Sequence, residues 1–133
     1  MNQQAENREL VLDLYTKVDA QDFDRARELL SAACKVYVGC NVLDRDGWAG
    51  MGQMFMRAFP DGRHVFDFVE AVGDYVLLNG YFTGTHTAEF QGIPATGKRV
   101  KFSLTMIDKV EHGKMAAHRA DFDAAALIQQ LTQ

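Results

Sequence analysis

The first half of the chain carries apolar residues at the spacing of amphipathic helices. Residues 5–20 predict a first helix, in which apolar positions recur three and four residues apart. Asp22 is a suitable N-cap for a second helix, which the apolar pattern continues to residue 33. A third helix is predicted over residues 44–59, with Asp46 as its N-cap.

Strands joined by short turns dominate the second half. The predicted strands cover residues 34–40, 63–71, 75–90, 99–110 and 115–122, and a closing helix covers residues 123–133. Helices followed by strands with tight connections are typical of an α+β fold with an antiparallel sheet, and not of alternating βαβ units. A sheet with such long strands coils, so three helices leave part of its concave face uncovered, and we expect a pocket there.

Composition and charge narrow the class of protein. The chain has 133 residues, 47% of them apolar and 24% charged, and no linker or repeat, which predicts a single domain over residues 1–133. The formal net charge of -4 argues against a nucleic-acid partner. No apolar run is long enough for a membrane span, and the polar N-terminus lacks a signal-peptide core. We therefore expect a cytoplasmic protein that has no membrane partner.

The two cysteines do not predict a bridge or a metal site. Cys34 and Cys40 lie six positions apart in one predicted strand, which separates them by about 20 Å. That distance is far too long for a disulfide, and two thiols alone cannot complete a zinc site. We expect two reduced thiols.

Aromatic and sulfur-containing side chains are the candidate walls of the expected pocket. Nine Phe and six Met residues suit an irregular apolar cavity, although ordinary core packing is the alternative for each of them. The candidate ligand-binding residues are Tyr15, Trp48, Met51, Phe55, Phe59, Phe68, Phe102, Leu104, Met106 and Ala120.

Four segments resemble the SnoaL-like polyketide cyclases of the NTF2-like superfamily. The most specific is "FTGTHTAEFQGIPATGKRV" at residues 82–100, because the family has much the same string in this place. The others are "AFPD" at 58–61, "KVEHGKMAAH" at 109–118 and "FDAAALIQQL" at 122–131. With the helical N-terminus included, the resemblance covers nearly the whole chain. It is specific for the family and not for one activity, since this fold carries several kinds of enzyme and non-catalytic binding domains.

The resemblance implies a fold, an assembly and a type of chemistry. The fold is a cone-shaped α+β barrel with a hydrophobic pocket between helices and sheet, and the assembly is a homodimer formed through the sheet. The ligand is a small, mostly apolar molecule. The chemistry uses neither metal nor organic cofactor: a carboxylate removes a proton from a carbon next to a carbonyl, and an intramolecular aldol closure follows.

This chain departs from the family at the position that carries the carboxylate. When the last strand is aligned, His118 matches the family's histidine, while Ala120 stands where the family has its working aspartate. In the preceding strand Met106 replaces another polar residue. Both positions expected to be polar are therefore apolar.

Two residues remain candidates for the catalytic base. Asp121 follows Ala120 directly, but strand alternation turns it to the opposite face unless a bulge re-aims it. His118 shares a face with Ala120, and a histidine can act as a base near neutral pH. The alternative is a binding domain that kept the pocket and lost the carboxylate.

The remaining ionisable residues near these strands have structural interpretations. Asp123 precedes the closing helix and is expected to be its N-cap. Asp108 is expected at the surface or the pocket rim, and His86 is expected to have a structural role. His64 and His112 flank turns and are expected to face solvent.

Overall fold

The computed structural model describes residues 2–133 and confirms the α+β fold class. Four helices and six strands follow one another along the chain. In chain order they are α1 (Gln3–Asp19), α2 (Phe23–Glu28), β1 (Leu30–Val38), β2 (Asn41–Leu43), α3 (Arg45–Ala58), β3 (Arg63–Val72), β4 (Tyr75–Thr85), β5 (Arg99–Glu111), β6 (Lys114–Phe122) and α4 (Ala124–Thr132).

One six-stranded, curved sheet forms the centre, with the strand order β2-β1-β6-β5-β4-β3. The sheet does not close into a barrel. The expectation of a wholly antiparallel sheet was wrong in one place, because β1 pairs in parallel with β6. A parallel pair needs a long connection, and all the elements between β1 and β6 supply it.

Two predicted helix boundaries were wrong. The second helix ends at Glu28, and Leu30 already belongs to β1, where it is fully buried. The apolar residues after Glu28 therefore serve the sheet and not a helix face. Helix α3 is capped by Asp44, which accepts a hydrogen bond from the Gly47 amide at 2.7 Å, and not by Asp46. Asp46 instead forms an ion pair with Arg27.

Strand β4 is shorter than predicted, because the chain leaves the sheet after Thr85. The His86 amide donates to the Lys98 carbonyl at 2.8 Å, and Phe90 and Ile93 form an isolated bridge. Residues 86–98 therefore form a folded-back loop, which places the buried Phe90 ring against Phe55 and Phe59.

A bulge in β3 bends the sheet and decides which side chains of this strand point inward. The register with β4 shifts between Phe66 and Phe68. As a result Phe66 packs against Tyr15, whereas Phe68 turns outward and is 50% exposed. Gly80 lies opposite the bulge, and a Cβ built there would lie 1.9 Å from the Val65 carbonyl oxygen.

The helices cover the concave face of the sheet. Strand β5 shows most clearly which side chains face the helices, because its even-numbered residues from Val100 to Val110 are all buried. None of the helices in residues 2–133 is long and apolar enough to cross a membrane.

Candidate active site

A mostly apolar cavity of about 100 Å³ lies between the concave face of the sheet and the helices. It includes eight of the ten predicted wall residues; Phe59 lies in the core behind it and Phe68 on the outer side of the sheet. The lining residues are Tyr15, Val18, Val38, Trp48, Met51, Gly52, Phe55, Met56, His64, Phe82, Phe102, Leu104, Met106, His118, Ala120 and Phe122. The lining residues whose side chains carry a polar group are therefore two histidines, a tyrosine and a tryptophan.

His118 and Asp108 form a buried pair at one end of the cavity. They lie directly opposite each other on β6 and β5, and both side chains point to the concave face. Asp108 is fully buried and His118 is 3% exposed. The His118 Nδ1 atom is hydrogen-bonded to the Asp108 Oδ1 atom. Because an ionised carboxylate can only accept, Nδ1 carries the proton in this pair.

Tyr15 on α1 completes the cluster from the helical side. Its hydroxyl donates to Asp108 Oδ2 at 3.0 Å and lies 3.4 Å from His118 Nδ1. Each oxygen of the Asp108 carboxylate thus accepts one hydrogen bond, as a buried charge requires. Asp108 fixes the tautomer of the imidazole and Tyr15 holds the carboxylate in place.

The other ring nitrogen of His118 is left free. Among residues 2–133, the fully enclosed side-chain nitrogens without a hydrogen-bond partner are those of Asn7 and His86. His118 Nε2 has no partner among the described residues and is not fully enclosed, so it is open to the cavity that its ring lines. With Nδ1 protonated, Nε2 presents a lone pair to whatever occupies the cavity.

A second histidine of the cavity wall is held in the same manner. His64 Nδ1 is 2.6 Å from Asp19 Oδ1, and the His64 amide donates to Asp19 Oδ2 at 3.0 Å. The ring lies against Tyr15, with 5.3 Å between the ring centroids. The expectation that His64 faces solvent was wrong, because the bond to Asp19 turns its ring inward.

The chain matches the sequence profile described as SnoaL-like polyketide cyclase over residues 9–131. This chain belongs to that family. Among solved structures it is similar to AclR, a candidate hydroxylase from Streptomyces galilaeus, with 25% identity, 96% of each chain covered and a TM-score of 0.90. The candidate polyketide cyclase IdmH from Streptomyces antibioticus is 25% identical, with 99% of this chain and 100% of that chain covered and a TM-score of 0.84.

A third structure supports the fold of this chain and nothing beyond the fold. A SnoaL-like candidate polyketide cyclase from Jannaschia sp. CCS1 is 22% identical, with 97% of this chain and 93% of that chain covered and a TM-score of 0.88. No curated protein sequence matches the chain at a significant level.

Asp121 lies away from the cavity of this SnoaL-like chain. The β5–β6 register is regular from Met106↔Ala120 to Leu104↔Phe122, so no bulge re-aims the Asp121 side chain. Asp121 is exposed and lines a separate surface depression of about 230 Å³, which we call the outer groove. The outer groove is lined by Val38, Gly39, Cys40, Asn41, Asp121, Phe122 and Ala124.

The other polar candidates have mostly structural partners. Asp123 caps α4 by accepting from the Ala126 amide at 2.9 Å, as predicted. His86 is fully buried, and its Nδ1 is 2.9 Å from Thr96 Oγ1 inside the loop after β4. His112 is exposed in the turn between β5 and β6. Within residues 2–133, no group of three or more His, Cys, Asp or Glu side chains could hold a metal ion.

The cysteines are both free, as expected. Cys34 is buried, and burial, followed by the negative charge of Asp108, raises the pKa of its thiol to about 11. Cys40 is exposed at the outer groove. Neither thiol lines the cavity that holds His118.

The Tyr15 hydroxyl should make the protein less stable in alkali. Burial, and then the charge and hydrogen bond of Asp108, raise the Tyr15 pKa well above its ordinary value of 10. A tyrosine in the unfolded chain ionises near pH 10, whereas the folded Tyr15 does not. The contribution of Tyr15 to the free energy of unfolding is therefore complete below pH 10 and declines above it. We expect Tyr15→Phe to cost about 2 kcal/mol at pH 7, because it removes a hydrogen bond to a charged group.

Urea unfolding of both proteins at pH 7 and pH 10.5 measures this effect. The difference in unfolding free energy between wild type and Tyr15→Phe should shrink at the higher pH. Equal stability of the two proteins at pH 7 would show that the Tyr15–Asp108 hydrogen bond contributes nothing.

Proposed function

We propose that this SnoaL-like protein is a cofactor-independent acid/base enzyme that acts on an apolar carbonyl compound, with His118 as the base. The observation that carries the proposal is the imidazole held at Nδ1 by Asp108, with Nε2 free at a mostly apolar cavity. This arrangement replaces the family's aspartate, whose place Ala120 takes. A histidine is well suited to take over the role of a catalytic base, because its ordinary pKa lies near neutral pH.

The chemistry begins at a carbon next to a carbonyl group. Nε2 of His118 takes the proton, the C–H electron pair forms the C=C bond of an enolate, and the negative charge moves to the carbonyl oxygen. In a substrate with a second carbonyl, the enolate carbon attacks that group, a C–C bond forms, and the proton on His118 passes to the resulting alkoxide. Asp108 balances the charge of the imidazolium while it exists.

The cavity size constrains how a bulky substrate binds. About 100 Å³ is below the volume of about 300–1,000 Å³ that is usual for ligand pockets. Val38 and Phe122 line both the cavity and the outer groove. We propose that a substrate larger than a fused ring pair extends past these two side chains into the outer groove.

Hydrogen–deuterium exchange of a simple ketone tests the proposed activity. 2-Indanone is a compact, apolar ketone, and its CH₂ groups next to the carbonyl incorporate deuterium from D₂O at a rate that NMR can follow. The protein should accelerate this exchange above the rate in buffer. Binding of 2-indanone without acceleration would contradict the acid/base proposal.

That second outcome would favour a non-catalytic binding domain. The observation that supports this alternative is that Ala120 and Met106, at the two positions where the resemblance implies polar residues, both line the cavity. The free Nε2 of His118 favours the enzyme.

We also propose a homodimer formed through the outer face of the sheet, the face opposite the helices. Ile107 and Phe68 are exposed there, and Arg119, which is paired with Ile107, stacks on Tyr37 at 4.4 Å from its ring centroid. A dimer would cover this apolar surface.

Light scattering tests the dimer. The expected mass is twice the 14.9 kDa of one chain. Ile107→Glu should shift it to 14.9 kDa, because it places a charge in the contact, while Gln129→Glu on the exposed side of α4 should not. A wild-type mass of one chain at micromolar concentration would contradict the proposal.

A further inference from the structure

We propose that His64 is a second catalytic residue, which donates a proton to the carbonyl oxygen of the substrate while His118 removes the proton from carbon. The inference rests on the proposed function, and it assigns a role to a group that the sequence placed in solvent. It starts from the observation that two histidines, each bound through Nδ1 to a carboxylate, line one apolar cavity.

The contacts of His64 match those of a positioned acid. Asp19 receives both the ring Nδ1 proton and the His64 backbone amide, so the ring is fixed by two bonds to one carboxylate. The ring also contacts Phe66 and Phe82, with centroid distances of 6.1 and 5.4 Å. Nε2 has no partner among the described residues and is not fully enclosed, which leaves it available to a ligand.

The two histidines come from different elements, β3 and β6, and both rings lie near that of Tyr15. The Tyr15 ring centroid is 5.3 Å from that of His64 and 6.4 Å from that of His118. Both rings line the same cavity, so in the proposed arrangement a carbonyl compound meets His118 at its α-carbon and His64 at its oxygen.

The proton balance closes when the two rings begin in opposite states. The proposed step requires a neutral His118 and a protonated His64, and the Asp19 carboxylate balances the charge of the latter. The C–H bond breaks toward His118 Nε2, and the carbonyl oxygen receives the His64 Nε2 proton, so the product is a neutral enol. His118 is then protonated and His64 neutral. When the enol carbon attacks a second carbonyl, His118 gives its proton to the new alkoxide oxygen and His64 takes back the enol O–H proton, which restores both rings.

This assignment predicts that exchange needs both rings, His118 as the acceptor and His64 as the donor of a proton. The titratable groups that face His64 are Asp19 and Tyr15 from α1 and, across the cavity, His118 from β6. Its partner on β4 is the apolar Phe82.

The test is the rate of 2-indanone deuterium exchange at neutral pH in wild type and His64→Asn. Asparagine keeps an N–H for Asp19 and removes Nε2. We expect the rate to fall about 10-fold or more, because the variant has no proton donor to the carbonyl oxygen. His112→Asn, in the exposed turn, is the matched control and should keep the wild-type rate.

Two further variants separate proton donation from a structural role. In His64→Ala, added imidazole should restore exchange, because it can occupy the space of the missing ring. Added imidazole should not restore exchange in His118→Asn, where the ring at position 64 is intact. Asp19→Asn keeps both histidines and removes the carboxylate that holds the His64 ring, so it should also slow exchange, which makes the test independent of whether His64→Asn folds.

The outcomes distinguish this inference from the proposed function. Exchange that requires His118 but keeps the wild-type rate in both His64→Asn and Asp19→Asn would overturn the role of His64 alone. Exchange that is absent in wild type, or unchanged in His118→Asn, would overturn the proposed function and this inference together.

Discussion

His118→Asn is expected to exchange 2-indanone protons at least about 100-fold more slowly than wild type. Positioned general bases contribute on the order of 10²–10⁴ to rate, and this variant removes the Nε2 lone pair. The amide nitrogen of asparagine takes the place of Nδ1, so the hydrogen bond to Asp108 can be kept. The measurement is the initial rate of deuterium incorporation at neutral pH under equal protein concentrations.

Folding must be shown to survive this change. Because the donor to Asp108 is kept, the thermal midpoint of His118→Asn should stay within a few degrees of wild type. Asp121→Asn provides a second comparison, since Asp121 lies outside the cavity and its replacement should leave the rate unchanged. A rate that falls in Asp121→Asn and not in His118→Asn would transfer the role of base to Asp121.

Gly80→Ala is expected to destabilise the protein by about 3 kcal/mol or more. The new Cβ would meet the Val65 carbonyl oxygen at 1.9 Å and the Phe66 Cα at 2.8 Å, and backbone atoms cannot move aside as a flexible side chain can. Strands β3 and β4 would have to separate at the bulge after which Phe68 turns outward.

Gly50→Ala is the control for this substitution. Nothing lies within 4 Å of a Cβ at Gly50, and this residue is inside α3, where alanine is favoured over glycine by up to about 1 kcal/mol. Urea unfolding of both variants should therefore give shifts of opposite sign. A Gly80→Ala protein as stable as wild type would contradict the close approach of the two strands.

The periodicity of the chain was sufficient to predict most elements of the fold. Strand β5 is the clearest case, because its alternation of apolar and polar residues corresponds to its two faces. The predictions that were wrong concern features set by contacts between residues that are distant in sequence. The residues after Glu28 fit a helical stripe equally well, and only their pairing with β6 makes them a strand. The outward turn of Phe68 depends on a bulge opposite Gly80, which alternation alone cannot show.

Part of the candidate site could be predicted from the sequence, and the rest depends on contacts between residues that are distant in the chain. His118 and most of the cavity wall followed from strand faces and aromatic composition. Asp108 was expected at the surface or the pocket rim, although it occupies the same face of β5 as Leu104 and Met106, and this unbroken row was the signal that it is buried. His64 had no such signal, because its orientation is set by Asp19, which lies 45 positions earlier on α1.

The protonation of the His118 ring is the most direct test of the central claim, that Asp108 holds Nδ1–H and leaves Nε2 as a base facing the cavity. Long-range ¹⁵N–¹H correlation spectra of the labelled protein above neutral pH distinguish the two tautomers of each imidazole. The account predicts that His118 carries its proton on Nδ1, and that its Nε2 resonance moves when 2-indanone is added while that of His112 does not. A His118 ring protonated on Nε2, or an Nε2 resonance that does not respond to the ketone, would contradict it.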